Sequence, residues 1–348
     1  MKLFSCISLA AAIIVASVQA AKPTLYVFGD SLSDIGTLKQ LTLGLLPPSS
    51  YWQGRFSSGP VWNEYLAKLL DYNLYCKAIG GSTSDNRHST LVDILNINIP
   101  STQDQINFFK FTNPLYILDS TRSKDIAVLA VGPNDFFSEI DDLASGALSI
   151  SSFIDTLSNT VVGQLEQLRK AGFKNFIVGN LAAIQYTPYA GQHNARALAA
   201  TTTNAYNKML AAKADAWARS AKGMGFFAIG DIGEFVEATI NSPAVIQALG
   251  LTDVANPCIE GINTDSIGGL LASIMNCSKN PSCPDASLYY FFDPIHPSER
   301  VHRLFGYYSK ELVTALLQGS TYNLTEANLL SLISANKLGT PAPKPVQV

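Results

Sequence analysis

Short, continuous apolar runs alternate along the chain with longer stretches whose apolar residues recur at helical spacing. Residues 24–28 (TLYVF) form the first apolar run and stop at Gly29. Residues 61–70 carry Val61, Tyr65, Leu66 and Leu69 at helical spacing, and 74–79 read as a second strand closed by Gly80-Gly81. The run 125–131 (DIAVLAV) predicts a buried strand ending at Gly132. A helix is predicted over 150–171, with serines at its start and Gly172 just past its end. Strand 175–178, an alanine-rich helix over 195–222 stopped by Gly223, and strand 225–229 follow. A last core helix is predicted over 298–317, where Glu299 in the first turn suits the positive end of the helix dipole.

Strands that are apolar throughout, separated by helices, belong to a parallel sheet covered on both faces. The expectation is an α/β fold of three layers. In such sheets ligands bind outside the carboxyl ends of the strands. Several glycine-bearing turns of this chain fall there.

Composition narrows the picture. The chain has 348 residues, 47% of them apolar and 15% charged, enough for one large core and too few charges for a long disordered segment. The formal net charge of −3 leaves no basic excess for phosphate backbones, so a nucleic-acid partner is not expected. Lys2, the apolar stretch 3–18 and the small residues of Val18-Gln19-Ala20 read as a signal peptide over 1–20, which implies a secreted, extracellular protein. That stretch is short for a membrane span, and no second apolar run of roughly 18 residues follows, so no transmembrane segment is expected. We read 21–338 as one domain and the proline-rich 339–348 as a disordered tail, with the protein a monomer. After removal of Cys6 with the signal, Cys76, Cys258, Cys277 and Cys283 remain. Their pairing is open. At least one bridge is expected among the last three, and Cys76 is expected as a buried free thiol. Asn276 and Asn323 head glycosylation sequons.

Four patterns carry candidate chemistry. Gly29-Asp30-Ser31-Leu32-Ser33 follows the first strand and presents a hydroxyl where a helix start would favour developing negative charge. Alone, it is equally a strand-to-helix turn with Ser31 as N-cap. Asp293-Pro294-Ile295-His296-Pro297 places a carboxylate three residues before an imidazole, so that the acid can take the Nδ1 proton and leave Nε2 as a base. Gly80-Gly81-Ser82-Thr83 and Gly132-Pro133-Asn134-Asp135 close two further strands and offer a backbone N–H and a side-chain amide. His88, His193 and His302 stand outside these four patterns and read as surface or structural. Together the four patterns supply what acyl transfer needs: a hydroxyl, a His–Asp pair and donors for an oxyanion. Nothing in the chain reads as a metal cluster or a nucleotide loop, and no cofactor is expected.

In this order, the four patterns resemble the GDSL or SGNH family of esterases and lipases, over roughly residues 24–317. The segment 51–62 (YWQGRFSSGPVW) resembles the stretch that follows the first pattern in secreted fungal and plant members, and it is similar to fungal carbohydrate acetylesterases. The resemblance implies a flavodoxin-like fold with a central, mostly parallel five-stranded sheet. It implies Ser31 as nucleophile, His296 as base and Asp293 as its orienter, with Ser31, Gly81 and Asn134 forming the oxyanion hole. Gly80 is the alternative to Gly81. The expected substrate is a small or oligosaccharide-borne short-chain (acetyl) ester. A lipase or phospholipase acting on longer acyl chains is the alternative, with the segment 41–48 (LTLGLLPP) either a lid or acyl-chain wall or ordinary loop packing. A secreted binding protein without turnover is the third reading. The stretch 250–288 is expected near the histidine loop.

Overall fold

The structure is a computed structural model that describes residues 22–88, 91–92, 97–119, 122–260, 278–279 and 281–342. The signal-peptide stretch, Cys277, Asn276 and residues 343–348 lie outside the described residues.

Five strands make one parallel sheet: β1 (Thr24–Gly29), β2 (Asn73–Cys76), β3 (Ile126–Ala130), β4 (Asn175–Gly179) and β5 (Phe227–Gly230). Their spatial order is β2-β1-β3-β4-β5. The period-2 pleat sends alternate residues of the apolar runs into two separate cores. Tyr26 and Phe28 of β1 enter one core with Ala127 and Leu129 of β3; Leu25 and Val27 enter the other with Ile126 and Val128. The first core is closed by α3 (Thr102–Thr112), α6 (Ile150–Lys170) and α8 (Arg196–Ser220). The second is closed by α2 (Trp62–Leu70), α9 (Ile232–Ile240) and α11 (Glu299–Leu317), with α10 (Pro243–Leu249) and α12 (Glu326–Asn336) outside them. This is the expected three-layer α/β/α fold with a five-stranded parallel sheet.

The order reverses direction at β1, which puts the crevice for ligands outside the carboxyl ends of β1 and β3. There the strands end level, with Gly29, Ala130, Gly179 and Gly230 in register. A Cβ on Gly29 would lie 2.5 Å from the Ala130 carbonyl oxygen, so only glycine lets the two strand ends close up at this point.

Two short helices, α4 (Pro133–Ser138) and α5 (Ile140–Ser145), follow β3, and α7 (Pro188–Gln192) precedes α8. The second strand is shorter than the predicted 74–79, although Lys77 and Ile79 still donate to the Val27 and Gly29 carbonyls. Beyond α10, β6 (Asp253–Pro257) pairs parallel with β7 (Tyr289–Phe291), which leads into the histidine loop. Cys258 is bonded to Cys283 across 25 residues, a closure worth roughly 3 kcal/mol in loop entropy. Cys76 is free, as expected, but half-buried where a buried thiol was expected, and burial pushes it up to about 12. At the tail, Arg303 donates to the carbonyls of Leu338 and Thr340, tying the chain down past residue 338. Among the described residues, no helix is long and apolar enough to cross a membrane.

Candidate active site

Ser31 stands two residues past the end of β1 in a tight turn, where Ser33 N–H donates to the Asp30 carbonyl and Leu32 N–H to Asp30 Oδ1. No helix starts at Ser31. The next helix, α1 (Thr37–Leu41), begins six residues later because Asp34 takes the N–H groups of Gly36, Thr37 and Leu38 on its own carboxylate. A helix dipole is therefore not what faces Ser31.

The histidine loop runs from β7 to α11. Asp293 Oδ1 accepts the backbone N–H of Ile295 and of His296, at 2.8 and 2.7 Å. Its Oδ2 accepts the Nδ1 proton of His296 at 2.7 Å, which leaves the Nε2 lone pair facing Ser31 Oγ at 2.6 Å. Ser31, Asp293 and His296, distant in sequence, form one continuous hydrogen-bonded chain. Burial alone would push the Asp293 carboxyl up, but the charge of a protonated His296 and the hydrogen bonds hold it below the usual carboxylate range. Phe292 N–H donates to the His296 carbonyl, and Ile259 N–H to the Phe292 carbonyl. The segment 250–288 thus braces the loop, and none of its described residues lines the cleft.

A fourth member was not legible from spacing. The Tyr51 hydroxyl donates to Asp293 Oδ2 at 2.8 Å, and its ring meets Phe292 and Phe56 edge-on. Phe56 in turn packs on the His296 ring at 5.0 Å between centroids. Asp293 therefore has partners for the lone pairs of both oxygens. Tyr51→Phe keeps the packing and removes one charge-assisted hydrogen bond, so kcat should fall about tenfold with little loss of stability. Steady-state kinetics beside a melting curve checks this, and unchanged turnover would show that Asp293 is held without it.

The donors converge from two other strand ends. The Gly80 N–H is committed to Asp34 Oδ2 at 2.8 Å, and a Cβ there would strike the Phe56 ring. Gly81, with φ at 86°, is the glycine on the cleft wall. Asn134 lies in the first turn of α4, behind Pro133, and one hydrogen of its amide bonds the Ser82 carbonyl at 2.8 Å, leaving a second. Ser31, Gly81, Asn134 and His296 all line one cleft.

Buried polar side chains lace these turns together. Gln105 of α3 pairs with both the N–H and the carbonyl of Gly29 and reaches Ser82 Oγ. Asp135 accepts both the backbone N–H and the hydroxyl of Ser84. A capping pattern, Ser101 with Asp104, was the available sequence signal for α3.

Leu46 is buried in the core while Leu41, Leu43 and Leu45 point to solvent, and residues 41–48 do not line the cleft. Their packing is that of a loop. Of the two readings left open for His302, surface or structural, burial excludes the first: it lies buried on the cleft wall. His193 stacks on Tyr189, and the side chain of His88 lies outside what the structure describes.

Asp30, next to Ser31, is buried with no partner for Oδ2 among the described residues, and burial pushes it up to about 7. Between the ordinary aspartate value and pH 7 the folded protein keeps a proton that the unfolded chain releases. Its stabilising contribution is therefore present in acid and is lost as pH rises through 7. Asp30→Asn, uncharged throughout, should gain melting temperature relative to the parent between pH 4 and pH 8. A gap that stays constant with pH would contradict this.

Residues 25–308 match the family described as GDSL-like Lipase/Acylhydrolase. The chain is 23% identical over 279 residues to the thermolabile hemolysin of Vibrio parahaemolyticus, covering 79% of this chain and 60% of that protein. It is 28% identical over 237 residues to the phosphatidylcholine-sterol acyltransferase of Aeromonas hydrophila, covering 67% and 64% respectively. It thus spans less than two thirds of the length of these two relatives. With the GDSL esterase/lipase At3g50400 of Arabidopsis thaliana it shares 24% identity over 360 residues, 90% of this chain and 92% of the relative. Among solved structures, Est24, a carbohydrate acetylesterase from Sinorhizobium meliloti, aligns with a TM-score of 0.40 and 14% identity over 85% of this chain and 100% of that one. With the match running from β1 into α11, across all four strand-end patterns, the chain belongs to the GDSL-like lipase/acylhydrolase family.

Proposed function

We propose that this protein is a secreted serine esterase that attacks through Ser31 and prefers an apolar acyl chain longer than acetyl. The observation that carries the catalytic part is the continuous relay from Asp293 through His296 to Ser31 Oγ. Ser31 Oγ adds to the ester carbonyl as His296 Nε2 takes its proton. Asp293 stabilises the imidazolium, and the N–H groups of Ser31 and Gly81 with the Asn134 amide receive the oxyanion. His296 then protonates the departing alcohol. A water deprotonated by His296 releases the acid and restores Ser31. A protonated His296 cannot start the cycle, so turnover falls in acid.

The preference for a longer chain rests on the cleft wall. Beside Ser31 it is built from Phe137, Ile184, Ile295, Phe235, Val301 and Phe305. Such a wall gains about 0.8 kcal/mol, roughly fourfold, for each methylene it covers, and it offers few partners to a sugar. The acetyl–carbohydrate reading is supported by the resemblance of residues 51–62 and has no counterpart in this lining. Secretion is supported by the reading of residues 1–20 and by the Cys258–Cys283 bond, of a kind that persists in oxidising compartments. Asn323 is exposed and open to glycan transfer.

Two assays together test the proposal. A fluorophosphonate should label Ser31, and kcat/KM on nitrophenyl esters should rise at least tenfold from acetyl to octanoyl. Unlabelled Ser31 in folded protein would remove the mechanism, and an acetyl ester turned over fastest would remove the chain-length preference.

A further inference from the structure

The cleft reaches from Ser31 to the start of α9 and the first turns of α11, where its wall includes Phe235, Val301 and Phe305. The polar atoms of its larger side chains in this part are spoken for. Trp62 Nε1 donates to Ser33 Oγ, and the Tyr290 hydroxyl pairs with Thr239 Oγ1. His302 is the exception. It is 3% exposed, it lines the cleft, and its Nε2 has no hydrogen-bond partner among the described residues.

An unpaired polar nitrogen in an apolar wall destabilises the fold, and such a group marks a place where something outside the chain completes the pairing. The chemistry of that something is constrained. Burial, and then the charge of His296 when protonated, push the imidazole down to about 3, so it is neutral near pH 7. A neutral imidazole offers one N–H and one lone pair and no charge. It suits an uncharged hydroxyl, which can donate or accept, and gives nothing to balance a carboxylate or phosphate in the same apolar surroundings.

We propose that His302 is a specificity-determining residue whose Nε2 hydrogen-bonds a hydroxyl carried on the acyl chain of the substrate, so that the enzyme selects hydroxylated acyl esters over plain ones of equal length. This rests on the reading of Ser31 as nucleophile and of the cleft as the acyl site. A site built to pair a substrate hydroxyl rejects the analogue without it, because its own polar atom is then left unpaired.

The test compares kcat/KM for nitrophenyl octanoate with a series of octanoates bearing one hydroxyl at successive carbons. The full-length enzyme should prefer one member of the series at least tenfold. His302→Phe, which fills the same space without a polar atom, should abolish or invert that preference, and His302→Gln should restore part of it. A wild-type enzyme indifferent to the hydroxyl at every carbon, or a His302→Phe enzyme that keeps the preference, overturns the proposal. Should His302→Phe fail to fold, the wild-type series and His302→Gln decide alone: a preference that His302→Gln weakens but keeps supports the contact, and one that it leaves unchanged or abolishes overturns it. Failure of the underlying reading looks different: no ester in the series is hydrolysed and Ser31 is unlabelled, and the proposal falls with it.

Discussion

Replacing Ser31 with alanine should lower kcat on every ester by about 10⁶-fold, leaving only what binding and the oxyanion donors supply by themselves. The size of the effect follows from where Oγ stands. It is the sole atom removed, it is the atom 2.6 Å from His296 Nε2, and among the described residues no neighbouring hydroxyl is poised to replace it. Ser33 is already bonded to the Trp62 indole, and Ser82 to the Pro100 carbonyl. The turn itself should survive. It is held by the Asp30 carbonyl, the Asp30 carboxylate and the Asp34 carboxylate, none of which involves the Ser31 side chain. Activity loss with an unchanged melting curve is thus the expected pair of results. Active-site titration guards against a trace of wild-type enzyme. A variant retaining more than about a hundredth of the parent rate would mean that another nucleophile acts.

The parts of this molecule that were legible in the sequence are those whose physics is local. A strand buried on both faces must be apolar throughout, so 24–28, 125–131 and 175–178 announced themselves, and the parallel sheet followed. Asp293 and His296 lie three residues apart, so their pairing is a property of one loop. What stayed hidden acts over long separations or through burial. Tyr51 meets Asp293 across 242 positions, Gln105 meets Gly29 across 76, and Asp34 meets Gly80 across 46. No periodicity encodes such pairs. The absence of a helix start at Ser31 has a local cause. Asp30 and Asp34 offer the backbone carboxylate partners in place of a helical ladder, which is why aspartate favours turns over helix interiors. His302 read as surface or structural because it stands outside the four patterns; only the tertiary wall around it gives it a cleft to face.

Asp293→Asn should cost about 10⁴-fold in kcat while preserving the fold, and the reason is written in the hydrogen bonds of this particular loop. The two backbone N–H groups of Ile295 and His296 both point at one oxygen of residue 293 and can be satisfied only by an acceptor. An asparagine must therefore place its carbonyl there and turn its NH₂ toward His296 Nδ1. An NH₂ donates, so Nδ1 becomes the acceptor and the ring proton moves to Nε2, the atom facing Ser31 Oγ. The base is then lost without any atom moving far, since the nitrogen that should accept the serine proton now carries one of its own. The same exchange removes the negative charge that stabilises the imidazolium and presents the Tyr51 hydroxyl with a donor in place of an acceptor. Asp293→Ala differs in a way that separates the two effects. It also loses the charge but leaves Nδ1 free to keep its proton through water, so it should retain more activity than the asparagine variant despite the larger structural deletion. An asparagine variant as active as the alanine one would show that charge alone, and not the tautomer enforced by these two N–H groups, is what Asp293 contributes.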